Sequence, residues 1–225
     1  MGNHPRPVLD SCKAVVKAAV NAAALAVAAV PAATCWLEHR LTPGGEALFA
    51  FWAHLFALLP GHPGQFCRRA FYVLTLDSCS LQSSIGFGAF FSRRGARVEA
   101  DVYIGPYAVI GNARIREGSL IGTRASLLSG SSQHQMDDQG RWTPSRPDHF
   151  TMIELGPHAW VGEAAIIMAD VGEGSVVAAG AVVSAAVPPM VTVAGNPARF
   201  VRANRPSAQA PPAGAPAVEA AGVAP

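Results

Sequence analysis

The chain has 225 residues, 50% of them hydrophobic and 14% charged, with a formal net charge of +2 at pH 7. That length allows one or two domains, and the near-neutral balance, without a Lys/Arg-rich stripe, excludes the electrostatic footprint of a nucleic-acid-binding protein. The four cysteines, Cys12, Cys35, Cys67 and Cys79, are scattered with no CxxC pair. This argues against a disulfide framework or structural zinc, and for small apolar thiols in a reducing compartment.

Residues 1–12 are polar and proline-containing and are expected to be disordered. Residues 13–62 read as an apolar helical segment. From Ala18 to Leu37 the chain carries no charge, behind Lys13 and Lys17. That length suits a membrane-spanning helix, but the alanine content, Asn21 and Pro31 make insertion marginal. A signal peptide is the competing reading. Ala47 to Leu59 is rich in Phe and Trp and short for a span. It reads as an interfacial helix or the return half of a re-entrant hairpin. Arg68 and Arg69 behind it are expected to face anionic lipid on the cytoplasmic side. Membrane contact through residues 18–59 is therefore the expectation. The other reading is a pair of soluble helices packed on the domain end or a neighbouring subunit. Residues 63–79 read as a short amphipathic helix or strand leading onward.

From there an aliphatic residue recurs every six positions: Val98, Ile104, Ile110, Ile115, Ile121, Leu127, then Leu155, Val161, Ile167, Val171, Val177, Val183. Ile85 and Phe91 form a degenerate first coil. The position four after the aliphatic is usually small or β-branched, as at Val102, Ala108, Ser119, Ala125, Ala159, Ala165, Ser175, Ala181 and Val187. A helix needs spacings of three and four, and an alternating strand a period of two. A period of six is a parallel β-helix, with three hexads closing one triangular coil and the aliphatics stacking inside. Glycine often follows the aliphatic, and its expected role is to relax the backbone near the corner. The steps Ile110–Ile115 and Ile167–Val171 are short and predict trimmed corners.

The repeat breaks between Leu128 and Ile153. An insertion there has no room in the packed prism and must be extruded as a loop, residues 129–152. It carries His134, Asp137, Asp138, Arg141, Trp142, Arg146, Asp148 and His149. The β-helix is expected over 63–203, closed by PPMVTVAGNPARFVRA, with a disordered Ala/Pro-rich tail at 204–225.

The run LGPHAWVGEAAIIMADVGEGSVVAAGAVVSAAVPPMVTVAGNPARFVR resembles the closing coils of the hexapeptide-repeat acyltransferases, a family that includes galactoside, maltose and serine O-acetyltransferases. LTLDSC, IGFGAFFS, VYIGPYAVIG and LIGTRASLLSGSSQHQ resemble the capsule and exopolysaccharide subset, so the likeness covers roughly residues 60–203. The resemblance implies a mainly β, left-handed parallel β-helix and an acetyl-CoA-dependent O-acetyltransferase without a metal. It implies His134 as general base, since neutral imidazole takes a hydroxyl proton near pH 7. Asp137 or Asp138 would orient the ring; the sequence does not choose between them. The acyl donor's arm would lie along Trp160, Gly162, Ala179 and Ser184, and its nucleotide end at Asn196, Arg199 and Arg202. Glu163 and His158 depart from the family's usual residues. Trp142 suits stacking on a sugar ring and Arg141 hydrogen bonding to hydroxyls, which favours a saccharide acceptor. The resemblance further implies a homotrimer, with the donor placing it in the cytoplasm, at the inner face of the membrane.

Two alternatives remain open from the sequence. One is a zinc hydratase like the γ-class carbonic anhydrases, using His134, His149 and His158. The other is a non-catalytic, membrane-tethered trimeric scaffold.

Overall fold

The computed structural model describes residues 7–130, 134–144 and 150–204, with side chains from residue 14 onward. Most of the two segments expected to be disordered lies outside the described residues. Helix α1 (Pro7–Leu41) begins earlier than the expected residue 13, with Pro7 at the first helical position, where a missing N–H costs nothing. Alanine, the strongest helix former, carries it onward. Its inward row, Ala24, Ala28, Ala32 and Cys35, is buried. After an elbow comes α2 (Ala47–Ala57), whose first amides have no cap from their own Glu46. Glu38 of α1 caps them instead, its carboxylate accepting from the Ala47 and Leu48 N–H groups at 3.0 Å each. Of the two readings for the next segment, the helix forms: α3 (Gly61–Thr75).

Arg68 and Arg69 of α3 do not face lipid. They are 1% and 7% exposed. Arg68 donates to the carbonyls of Leu59 (2.6 Å), Phe56 (3.3 Å) and Ile85 (3.2 Å). Arg69 donates to Ser83 O (3.1 Å) and Asn21 Oδ1 (2.6 Å). The physical reason is that carbonyls of the α2–α3 turn and the first coil, Leu59 O and Ile85 O for Arg68 and Ser83 O for Arg69, point at α3, and a guanidinium with five donors satisfies several acceptors at once. Burial lowers both arginine pKa values. Phe71 stacks on Phe56 (4.9 Å between centroids) and Tyr72 meets Phe91 edge-on (4.7 Å). The Tyr72 hydroxyl accepts from the Phe91 N–H at 3.2 Å, so α3 closes the open end of the β-structure.

The β-structure is a parallel solenoid of about six turns. The first coil is β1 (Ser78–Cys79), β2 (Ser84–Ile85) and β3 (Phe90–Phe91); the second is β4 (Arg97–Val98), β5 (Tyr103–Ile104) and β6 (Val109–Ile110). The third is β7 (Ala113–Ile115), β8 (Leu120–Ile121) and β9 (Ser126–Leu127), and the fourth β10 (Ile153–Leu155), β11 (Trp160–Val161) and β12 (Ile166–Ile167). The fifth has a bridge at Val171, then β13 (Val176–Val177) and β14 (Val182–Val183). The sixth has a bridge at Val187 and then β15 (Val191–Ala194), against which β16 (Arg199–Ala203) folds back antiparallel. Each third strand falls on the same face, giving sheets β1-β4-β7-β10, β2-β5-β8-β11-β13-β15-β16 and β3-β6-β9-β12-β14. These are the first, second and third faces.

The aliphatic row is buried throughout, with Ile104, Ile110, Ile121, Leu155 and Val177 at 0%. Val187 takes the aliphatic position of the sixth coil, paired with Val171, rather than the small position. Both short steps are trimmed corners between the third and first faces. The expected role of the post-aliphatic glycines is corrected. None of Gly105, Gly122, Gly156, Gly162 or Gly172 has positive φ. A Cβ on Gly162 would stand 2.5 Å from Ala179 N, and one on Gly122 would stand 2.6 Å from Glu163 N. Close approach of successive coils is what demands glycine. The left-handed residue comes two places later, at Asp101, Tyr107, Arg124, His158, Ala164 and Met190 among others.

The first face carries an ion ladder on its outer side: Arg97–Asp77 (3.3 Å), Arg114–Glu99 (3.2 Å), Arg116–Glu99 (2.9 Å) and Arg116–Glu154 (2.9 Å). The second face is different. Tyr103, Leu120, Trp160 and Val176 stand in register there, the first three exposed.

Candidate active site

The extruded loop leaves at the edge between the third and first faces, where β9 ends and β10 begins. Its neck is tied by Thr151 N–H to Ser129 O (3.1 Å) and by Asn112 N–H to Ser129 Oγ (2.7 Å). Gly130 sits in the neck with φ +86°. Past it the chain forms an exposed hairpin, bridged between Met136 and Trp142. Thr143 N–H donates to Gln135 O (2.8 Å), and Asp137 N–H to Arg141 O (2.9 Å).

His134 starts this hairpin. Its Nδ1 lies 3.2 Å from Thr143 O. A carbonyl only accepts, so Nδ1 carries a proton in this contact, which in the neutral ring leaves the lone pair on Nε2, the form a general base needs. The orienting group is thus a backbone carbonyl. Among the described residues, neither Asp137 nor Asp138 hydrogen-bonds or ion-pairs with His134. Asp137 is occupied: it accepts from the N–H groups of Arg141 and Gln139 (2.9 Å each) and pairs with the Arg141 guanidinium at 3.0 Å. The Arg141 N–H first, then its guanidinium and Gln139, holds this carboxyl below its ordinary value. Arg141 is therefore engaged within the hairpin, while Trp142 stands 71% exposed. Arg146, Asp148 and His149 lie outside the described residues.

A groove of about 510 Å³ runs over the second face and is lined by Trp160, Gly162, Glu163, Val177, Ala178 and Ala179, with Tyr103 at its side. Three of the residues expected to contact the donor, Trp160, Gly162 and Ala179, come together here. Small side chains and exposed backbone leave the space for a slender chain. Asn196, Arg199 and Arg202 are exposed at the closing end of the same sheet, Arg199 and Arg202 on β16. Ser184 follows β14 on the third face and does not line the groove. Groove and loop belong to different edges of one prism.

Sequence reasoning missed a cluster below the loop. Phe150, the loop's far foot, lies under the Arg93 guanidinium (3.9 Å to the ring centroid), and Arg93 pairs with Glu46 of the elbow at 2.8 Å. With Gly44, Gly95 and Asn112 they line a cavity of about 170 Å³. Asn112 Oδ1 is buried in it with no hydrogen-bond partner among the described residues. The short Ile110–Ile115 step was the available signal, because Asn112 sits in that trimmed corner.

For the zinc reading, His158 is the left-handed residue at the corner between the first and second faces, away from the edge that carries His134. Among the described residues no three His, Cys, Asp or Glu side chains are grouped as metal ligands.

The class defined by this architecture is the left-handed parallel β-helix of hexapeptide repeats, with helices at its N-terminal end. The chain matches no protein-family profile and no curated relative. Among solved structures it is similar to a hexapeptide-repeat-containing acetyltransferase from Vibrio cholerae O1 biovar eltor, complexed with acetyl coenzyme A. That likeness has a TM-score of 0.56 at 22% identity, over 70% of this chain and 86% of the other. It is also similar to a galactoside acetyltransferase in complex with coenzyme A, with a TM-score of 0.58 at 18% identity, over 71% of this chain and 81% of the other. At these identities the likeness shows the fold.

Proposed function

We propose that this protein is an acetyl-CoA-dependent O-acetyltransferase acting on a hydroxyl of a saccharide. The observation that carries the reading is His134, a loop-borne imidazole whose Nδ1 is pinned to Thr143 O, which in the neutral ring leaves Nε2 as the basic nitrogen. The similar structures with acetyl coenzyme A or coenzyme A support the donor. In the proposed reaction Nε2 takes the acceptor's hydroxyl proton as its oxygen attacks the thioester carbonyl. Backbone N–H groups stabilise the tetrahedral oxyanion. Its collapse breaks the C–S bond, and the imidazolium returns the proton to the thiolate. The products are an acetyl ester and free coenzyme A.

Thr143 O takes the orienting role in place of Asp137 or Asp138. Trp160, Gly162 and Ala179 hold the donor's arm, with Arg199 and Arg202 toward its phosphates. Asn112 Oδ1, a lone acceptor in a neutral cavity that also holds the Arg93–Glu46 pair, suits a sugar hydroxyl, and Trp142 suits its ring. A site using both groove and loop is built most simply between two prisms. The apolar row Tyr103, Leu120 and Trp160 on the second face supports the homotrimer that this requires. Use of acetyl-CoA as donor supports a cytoplasmic location. The test is thiol release from acetyl-CoA across a panel of saccharide acceptors. Acceptor-dependent release supports the reading; absence of coenzyme A binding by calorimetry overturns it.

A further inference from the structure

The helices at the prism's end present an apolar surface that the described residues leave bare. The inward row of α1 packs on α3, and Asn21 bonds Arg69. Every outward position between Ala18 and Ala33 is alanine or valine, and all are exposed. At 1.5 Å per residue that strip is about 22 Å long. Val27 is 59% and Val30 70% exposed. On α2 the row Leu48, Phe51, Leu55 and Leu58 is also exposed, at helical spacing. A helix apolar on all sides needs an apolar environment on all sides.

The charges flanking the strip say which environment. Lys17 is exposed at one end. At the other, Arg40 lies over the ring of Trp36, 4.2 Å from its centroid, an aromatic–basic pair of the kind that sits at lipid headgroups. Between Lys13 and Leu37 the chain has no carboxylate, and Glu38 is turned into the elbow as the cap of α2. A second copy would set these cations against their own kind, whereas lipid phosphates complement them.

We propose that the outer faces of α1 and α2 dock on an anionic bilayer, lying in the boundary between headgroups and acyl chains. The helix lies on the membrane rather than crossing it, because its inner face is bound to α3 and to buried Arg69. This inference is independent of the acyl-transfer reading.

The test is flotation of the full-length protein with vesicles of phosphatidylcholine and phosphatidylglycerol at 7:3, against pure phosphatidylcholine. The expected result is binding to the anionic vesicles that falls at least tenfold in the neutral ones. Val30→Glu should lose binding with its circular dichroism and thermal melting unchanged. Should Val30→Glu fail to fold, Lys17→Gln and Arg40→Gln serve instead, each expected to weaken binding about fivefold, the effect of one basic residue near an anionic surface. Absence of wild-type binding, or equal binding to both vesicles, overturns the proposal. So does a Val30→Glu variant that binds normally but drops an oligomeric state in light scattering, which would show that another copy covers the face.

Discussion

Replacing Gly162 by alanine tests how the coils stack. The added Cβ would lie 2.5 Å from Ala179 N and 2.8 Å from both Ala178 C and Val177 O, where ordinary contact begins near 3.4 Å. The fifth coil must therefore move away by about 0.9 Å, against a strand spacing of about 4.8 Å. That movement breaks the bond from Gly162 N–H to Val177 O, now 2.8 Å long. The lost buried bond costs about 1–1.5 kcal/mol, and displacing packed side chains adds about 1–3 kcal/mol. The sum, roughly 2–4 kcal/mol, lowers the melting temperature by about 5–15 °C in a domain of this size. Gly180, in the fifth coil, is the control. Its φ is +69°, yet a Cβ there meets nothing within 4 Å. Gly180→Ala should therefore cost only the left-handed strain, about 1–2 kcal/mol. Melting curves of the two variants decide. The reasoning is refuted if Gly162→Ala melts with the wild type, or above Gly180→Ala.

Three further outcomes are expected in other parts of the protein. Arg68→Met leaves the carbonyls of Leu59 and Ile85 without their Arg68 donor, and should lower stability by about 3 kcal/mol in denaturant titrations. Trp160→Glu places a charge in the apolar row of the second face and, on the proposed homotrimer, should shift the mass by light scattering from trimer to monomer; an unchanged mass contradicts the proposed interface. At Glu99 burial opposes the charge, but hydrogen bonds from Arg116, Glu117 N–H and Arg114 outweigh it, so the folded pKa lies below the unfolded one. Its stabilisation is present above the unfolded pKa and is lost as pH falls through the folded pKa. Glu99→Gln should therefore melt below wild type at neutral pH, and the gap should close as the solution is acidified below about pH 4.

The solenoid was legible because one inward row, from Ile85 to Val183, repeats without regard to what lies outside. The trimmed corners and the extruded loop were legible as breaks in that row. Contacts between coils were not. The need for glycine at Gly162 comes from Ala179, one coil away. The left-handed position has no sequence signature because Asp101, Tyr107, Arg124 and His158 hold it as well as glycine does. Arg68 and Arg69 looked like surface cations since nothing in their own segment shows the acceptors that meet them, Leu59 O and Ile85 O for the first and Ser83 O and Asn21 for the second. Likewise His134 is oriented by Thr143 only because the loop folds into a hairpin, which periodicity does not report. Glu46, Arg93, Asn112 and Phe150 meet from distant segments, so the cavity they line has no local signature.

The most direct test of the proposed chemistry is turnover by His134→Ala with acetyl-CoA and the best saccharide acceptor, measured as thiol release. The fold should be unaffected, because the imidazole stands on an exposed hairpin and, among the described residues, its one hydrogen bond is to Thr143 O. Losing a general base should lower kcat about 10²–10⁴-fold with coenzyme A binding retained. Turnover at the wild-type rate would contradict the assignment of His134 as the base.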